Sequence, residues 1–178
     1  LTGADYDNGD YQRALDEVLR RADIEGLRAE QQRRRESGET RLLGIGLATY
    51  VEVTGFGGSE FGSVHVHADG SATVRAGTSA HGQGHATSFS MIVADRLGIP
   101  LDRITYEQSD TAAGRSGGGT GGSRSLQLGG SAVSAAADEV YAPAVELAAE
   151  ALEVDPADVV LGADGFEVAG VPGTSVDW

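Results

Sequence analysis

The chain of 178 residues contains no cysteine, so it offers no thiolate for a disulfide, a zinc site or an iron–sulfur cluster. Basic residues are few, 13 against 27 acidic ones, and the net charge of −14 argues against nucleic acid or an anionic membrane as a general partner. No apolar run approaches the roughly 20 residues that span a bilayer, and no charged signal-peptide start is present. These absences indicate a cytoplasmic protein without a membrane span. The lack of an initial methionine favours a piece of a longer polypeptide.

Two glycine-rich segments are the most informative part of the sequence. The first covers residues 81–87 (HGQGHAT) and the second covers residues 114–125 (GRSGGGTGGSRS). Each precedes a stretch of helical periodicity, so each predicts a helix start whose free backbone N–H groups and dipole attract an anion. Together they predict one large phosphorylated ligand held between two helix starts.

Apolar periodicity predicts four helices. The first follows an N-cap at Asp10, and the second, over residues 25–36, is charged and solvated and stops at Ser37 and Gly38. The third follows the first glycine segment and ends at Gly98. The fourth is a long, alanine-rich helix over residues 125–152, with apolar residues every seven positions at Leu126, Val133, Val140 and Leu147.

Alternating patterns predict the strands, which lie at residues 42–53, 64–68, 72–76, 103–108, 159–161 and 166–168. Asp69 and Gly70 form the turn of a hairpin. Because the strands come as hairpins and the helices do not alternate strictly with them, we expect an α+β fold with antiparallel strands and hairpins packed against helices. Residues 1–178 are predicted to comprise a helical segment, 1–40, and an α+β part, 41–178.

Common phosphate and metal motifs do not account for these segments. Neither ends in Gly-Lys-Ser/Thr, and no three-glycine Rossmann pattern precedes a crossover helix. Neither His65 with His67 nor His81 with His85 has a carboxylate or thiolate at companion spacing for zinc. We expect an exposed strand face for the first pair, and we expect His85 to orient or bind a ligand.

Polar side chains distinguish the glycine segments from plain flexible loops. The amide of Gln83 can both donate and accept, and Thr87 adds a hydroxyl at the first helix start. Three further hydroxyls and a guanidinium accompany the second segment: Thr120, Ser123, Ser125 and Arg124. The fixed charge of this arginine suits a bidentate grip on a phosphate, whereas Arg115 is a weaker candidate.

The motifs, taken in order, resemble the molybdenum-binding large subunit of the xanthine dehydrogenase family, in particular its carbon monoxide dehydrogenase branch. They are GQGHAT (82–87), IVADRLGIP (92–100), DT (110–111) and GTGGSRS (119–125), with YDNGDY (6–11) and LGIGL (43–47) upstream. Either glycine motif alone is weak, but the two in this order and at this separation are specific. The likeness covers nearly the whole chain.

The resemblance implies that the chain is part of the molybdopterin-binding half of such a subunit. It implies contacts with a molybdopterin dinucleotide, usually the cytosine form in bacterial members, from Gln83, Gly84, His85 and Thr87 on one side and from Thr120, Gly121, Gly122, Ser123, Arg124 and Ser125 on the pyrophosphate side. No metal ligand and no catalytic residue is assigned, because the family's substrate loop lies upstream and its glutamate base lies downstream.

The resemblance also implies an oxidoreductase of the carbon monoxide dehydrogenase, aldehyde oxidase or xanthine dehydrogenase type, which oxidises a small carbon substrate with water-derived oxygen. Its electrons would pass to an iron–sulfur subunit and then to an FAD-binding subunit, and with the rest of the large subunit these are the implied partners. The chain alone is expected to be inactive. It departs from the family at Ala86, where glutamate is frequent, and in a second loop richer in glycine.

Two alternatives stay open at this point. The glycine segments could form a non-catalytic module that binds a nucleotide or phosphate, or the chain could be a purely structural interaction domain. Molybdenum together with a released cytosine nucleotide would distinguish the hydroxylase hypothesis from both.

Overall fold

The structure, a computed structural model, describes residues 6, 9–55, 57–112 and 117–178. Gly114 and Arg115, at the start of the second glycine segment, lie outside the described residues. The chain divides into two compact units, Leu1–Val51 and Glu52–Trp178. Helices combine with two small sheets, which confirms the α+β class. Within the described part of the chain, no helix has both the length and the apolar character to cross a membrane.

The first unit contains two helices, α1 (Tyr11–Arg21) and α2 (Ile24–Glu36). The predicted N-cap of α1 is confirmed, because the Asp10 carboxylate accepts a hydrogen bond from the Arg13 backbone N–H at 3.0 Å. The solvated character of α2 is also confirmed. The Glu30 carboxylate lies 2.7 Å from Arg33 and 2.6 Å from Arg34, and hydrogen bonds from these guanidinium groups lower the pKa of Glu30 to about 2.

The alternating segment 42–53 forms no strand, so that prediction is wrong. A strand needs a neighbour that accepts and donates its backbone hydrogen bonds, and none of the described residues provides one here. The Leu43 carbonyl instead accepts a hydrogen bond from the Gln31 side chain at 2.9 Å. The alternation does not mark a buried face either, since Leu47 is 57% exposed and Tyr50 is 87% exposed.

The second unit contains a mixed sheet of three strands, β1 (Gly62–Val66), β2 (Ala72–Ala76) and β3 (Ile104–Glu107). The predicted hairpin is confirmed, because β1 and β2 pair antiparallel with Val64 opposite Val74. β3 pairs parallel with β2 and places Tyr106 opposite Val74. The connection between them is helix α3 (His85–Leu97), which ends at Gly98 as predicted. Strand pattern does not specify strand direction, so the parallel pair was not predicted.

The long helix begins as a π-helical turn, Ser125–Gly129, and continues as α4 (Gly130–Leu152). It packs with α3 against the first sheet, where Val74, Phe89 and Val133 are completely buried. The seven-residue repeat does not mark one buried face, because Leu147 is 67% exposed. A straight helix has 3.6 residues per turn, so positions seven apart drift around its axis. At Gly62, an added Cβ would lie 2.5 Å from the backbone of α4.

A second sheet covers the other end of α4 and consists of β4 (Val159–Leu161), β5 (Gly165–Val168) and β6 (Ser175–Asp177). The predicted pairing of β4 with β5 is confirmed. β6 was not predicted, and it pairs antiparallel with β5. The Trp178 indole N–H donates to the Leu97 carbonyl at 2.7 Å, which joins this sheet to the end of α3.

Candidate functional site

The site lies at the edge of the first sheet where β2 and β3 both end. Because these two strands run parallel, the residues that follow them meet at one edge, which is where ligands bind in parallel sheets. The Gln108 side chain accepts from the Ala80 N–H at 2.7 Å and donates to the Ala80 carbonyl at 3.3 Å. The hydroxyl oxygens of Ser79 and Ser109 are 2.8 Å apart. The segment leading into the first glycine loop is therefore held by the residues after β3.

The second glycine loop holds the same segment from another direction. The Thr120 hydroxyl accepts from the Ser79 N–H at 3.0 Å and donates to the Ser79 carbonyl at 2.6 Å. The Gly119 N–H donates to the Gly77 carbonyl at 3.2 Å. A Cβ added to Gly77 would lie only 2.5 Å from the Cα of Gly117. The two glycine segments predicted to share a ligand are thus held side by side.

The first loop presents an uncapped helix start. Gly82 and Gly84 adopt φ values of +114° and +78°, which suit glycine, and Gly84 is the N-cap of α3 without any side-chain capping bond. Apart from chain neighbours, no atom in the described part of the chain lies within 4 Å of where a Cβ would stand on either glycine. The Gln83 side-chain oxygen accepts from the His81 N–H, while the Gln83 side chain is exposed. This end of α3 has donors and free space for an anion.

The second loop has a similar open face. Gly119, Gly122 and Ser123 have positive φ values of +76°, +57° and +50°, which coil the backbone tightly. Space is open at Gly119 and Gly121, where an added Cβ would meet no atom of the described residues within 4 Å, chain neighbours aside. The π-helical turn that follows has no side-chain cap. Successive amides in such a coiled loop form a concave anion site.

Arg124, whose guanidinium the sequence suggests as a bidentate phosphate ligand, also has partners within the protein. Its Nη2 donates to the Ser59 carbonyl at 2.8 Å and lies 3.4 Å from the Glu60 carboxylate. The Arg124 side chain is 17% exposed, and the Glu60 side chain is completely buried. The sequence reasoning missed Glu60, whose only local signal is an isolated acid in a glycine-rich turn before β1.

Four buried polar atoms at or beneath the loops lack a hydrogen-bond partner within the described residues: Thr78 Oγ1, His85 Nε2, Arg124 Nε and Ser125 Oγ. The His85 ring stacks on Phe89 at 5.0 Å. The Tyr106 hydroxyl donates to the Thr78 carbonyl at 2.9 Å, and burial raises the pKa of that hydroxyl. A buried polar group without a partner costs about 1–3 kcal/mol. These atoms therefore fit a polar ligand or water that reaches below the loop surface.

The structure brings both predicted groups of binding residues to this edge. Most of them are exposed on the loops, namely Gln83, Gly84, Thr87, Thr120, Gly121, Gly122 and Ser123, whereas His85 and Ser125 are buried. Sequence reasoning missed Ser79, Gln108 and Ser109, which position the loops. Gln108 follows a predicted strand, but the sequence could have identified it as a site residue only if the parallel pairing of that strand with β2 had been known.

The histidines do not gather at a metal centre. Among residues 6, 9–55, 57–112 and 117–178, no group of three or more metal-ligating side chains occurs. His65 and His67 are exposed, as predicted, with ring centroids 4.7 Å apart. The His67 Nε2 lies 2.8 Å from the Thr73 hydroxyl.

Comparison with known proteins agrees with this geometry. The chain is 42% identical over 180 residues to a carbon monoxide dehydrogenase large chain from Hydrogenophaga pseudoflava, covering 94% of this chain and 22% of that protein. It is 37% identical to the corresponding large chain from Afipia carboxidovorans, covering 96% and 23%. A crystal structure of Cu,Mo-CO dehydrogenase in its carbon monoxide reduced state superposes with a TM-score of 0.66 at 35% identity, covering 97% of this chain and 24% of that one.

The chain thus spans less than a quarter of the length of the curated relatives it matches. Residues 17–178 match the family described as Molybdopterin cofactor-binding domain. That match covers the described residues of both glycine loops and the sheet edge that holds them. The chain therefore belongs to the molybdopterin cofactor-binding domain family.

Proposed function

We propose that this chain is the part of a molybdenum hydroxylase large subunit that holds the molybdopterin dinucleotide. The parent enzyme is of the carbon monoxide dehydrogenase, aldehyde oxidase or xanthine dehydrogenase type and oxidises a small carbon substrate with water-derived oxygen. The observation that carries the proposal is the direct attachment of the second glycine loop to the segment before the first, through Thr120 and Ser79. Two open, amide-rich loops side by side suit one elongated anion.

The two loops have different roles in this proposal. At the first, the uncapped start of α3 and the side chains of Gln83, His85 and Thr87 bind one side of the cofactor, together with the Gly84 backbone. At the second, backbone amides and hydroxyls over residues 120–125 surround the pyrophosphate. Because these dipoles act at short range, while net charge is screened beyond about 8–10 Å, an acidic chain can still bind a polyanion.

This chain contributes residues that bind the cofactor, whereas the chemistry is that of the cofactor itself. When bound, it supplies the redox-active molybdenum, and in bacterial relatives it is expected as the cytosine dinucleotide. The side chains placed here bind and orient it and exclude water from beneath the loops. We assign no catalytic base to residues 1–178, and we expect the isolated chain to be inactive. We also propose that the chain divides into a helical segment, residues 1–40, and a cofactor-binding part, residues 41–178.

The remaining partners follow from electron transfer. Since these 178 residues contain no cysteine, any thiolate-bound cluster must be held by residues outside them. We therefore propose an iron–sulfur subunit and an FAD-binding subunit as partners, besides the rest of the large subunit, in a cytoplasmic complex.

The test is the cofactor content of the purified full-length protein. Metal analysis should find molybdenum, and acid release should yield a cytosine nucleotide in equal amount. Gln83→Ala should lower both, whereas Gln32→Ala, a matched change on the exposed face of α2, should not. A nucleotide without molybdenum would support the non-catalytic binding module instead, and the absence of both would refute the proposal.

A further inference from the structure

A buried carboxylate sits directly behind the second glycine loop. The Glu60 side chain has no solvent exposure. Both of its oxygens lie 3.0 Å from the Gly118 backbone nitrogen, and Oε1 also accepts from the Phe61 N–H at 2.9 Å. An ionised carboxylate is costly to bury unless charge and hydrogen bonds compensate it. Here the compensation comes from the Gly118 and Phe61 backbone N–H groups and from one cation.

That cation is Arg124, at the far end of the same loop. Its Nη2 lies 3.4 Å from Glu60 Oε2 and donates to the Ser59 carbonyl at 2.8 Å. One carboxylate thereby contacts the loop near its beginning, at Gly118, and at its end. Pairing also neutralises a negative charge that would otherwise repel an anion on the open side of the loop.

The packing at Gly118 leaves no room for a side chain. An added Cβ would lie 2.3 Å from Nη1 and Nη2 of Arg124, so the guanidinium lies flat against this glycine. At Gly121, three residues further along, an added Cβ would meet no atom within 4 Å among residues 6, 9–55, 57–112 and 117–178 other than its chain neighbours. Neither glycine has a positive φ. Gly118 and Gly121 therefore differ mainly in whether the Arg124 guanidinium packs against the glycine.

We propose that Glu60 is a positioning residue that fixes the shape of the second glycine loop by binding Gly118 and Arg124 together. In this role Arg124 helps to fix the loop through its Nη2 contacts with Ser59 and Glu60. The inference rests on the proposed function for what the loop holds. The loop geometry itself does not depend on the identity of the ligand.

Trypsin provides a direct readout on the full-length protein freed of cofactor. The bond after Arg124 precedes the buried Ser125, so cleavage there requires the loop to open. Glu60→Gln keeps an acceptor for the Gly118 N–H but removes the charge. Cleavage after Arg124, measured relative to cleavage after the exposed Arg41, should rise about tenfold or more, because proteolysis follows the population of the open form.

Two further variants separate positioning from general stability. Gly118→Ala displaces the guanidinium while leaving Glu60 in place, and it should raise the same cleavage even if Glu60→Gln fails to fold. Gly121→Ala should leave cleavage of the cofactor-free protein within about twofold of wild type.

The result that overturns the proposal is an unchanged cleavage ratio in both Glu60→Gln and Gly118→Ala. A parallel rise in cleavage after Arg75, which lies in strand β2 between two paired strands, would also overturn it, since that rise reports global unfolding. In protein carrying its cofactor, Glu60→Gln should additionally lower nucleotide and molybdenum content several-fold. If wild-type protein contains neither, the proposed function fails, while the cleavage comparison still decides the role of Glu60.

Discussion

Replacing Thr120 with valine should loosen the join between the two glycine loops. The change keeps the side-chain shape but removes the hydroxyl that binds Ser79 twice, as acceptor at 3.0 Å and as donor at 2.6 Å. The Ser79 N–H would lose its acceptor, and the Ser79 carbonyl would lose its donor. The neighbouring bond from Gly119 to Gly77 would remain as the second link.

The expected size follows from these two bonds. A net hydrogen bond in a folded protein contributes about 0.5–1.5 kcal/mol. Because Thr120 is exposed, water replaces part of the loss, so we expect about 1–2 kcal/mol in the free energy of local opening. That corresponds to roughly a 5- to 30-fold increase in the open population.

Amide hydrogen exchange measures this opening. In cofactor-free, full-length protein, the peptide containing Ser79 should exchange roughly 5- to 30-fold faster in Thr120→Val than in wild type. Thr120→Ser, which retains the hydroxyl, should restore most of the protection. Thr111→Val changes an exposed residue in the same connection between β3 and α4, and it should leave the exchange of the Ser79 peptide unchanged. Unchanged exchange at Ser79 in Thr120→Val would refute the idea that this hydroxyl joins the loops.

Three further predictions concern stability and titration of the full-length protein. Phe89→Ala removes a completely buried ring and should lower the free energy of unfolding by about 3–5 kcal/mol in urea titrations, against about 0.5 kcal/mol for Met91→Ala, which is 56% exposed on the same helix. Gly62→Ala places a Cβ 2.5 Å from the α4 backbone and should cost about 1–3 kcal/mol. Gly44→Ala, where no described residue other than the chain neighbours lies within 4 Å of the added Cβ, should be nearly neutral, and equal effects of the two changes would contradict the packing. Because the pKa of Glu30 is lowered to about 2, its ion pairs stabilise α2 at pH values above the ordinary carboxyl pKa and are lost as the pH falls through about 2. An NMR titration of the Glu30 carboxyl with a midpoint near pH 4.5 would contradict these ion pairs.

Local physical chemistry accounts for the elements that the sequence predicted well. Asp10 caps α1 because its side chain reaches an N–H three residues away, and Gly98 ends α3 because it adopts φ +65°. The hairpin around Asp69 and Gly70 likewise depends on neighbouring residues. Segment 42–53 shows the limit of such reasoning, since an alternating pattern needs a paired strand that no described residue supplies.

The sequence by itself determined the two glycine-rich helix starts, the absence of thiolates and the family of the chain, because these depend on residue types at short spacing. Only the tertiary structure decided how the loops meet. The contacts that join them link residues far apart in the chain: Glu60 with Gly118 across 58 positions and Thr120 with Ser79 across 41. Such pairs form because β3 runs parallel to β2 and brings both loops to one edge, and no local pattern encodes that direction.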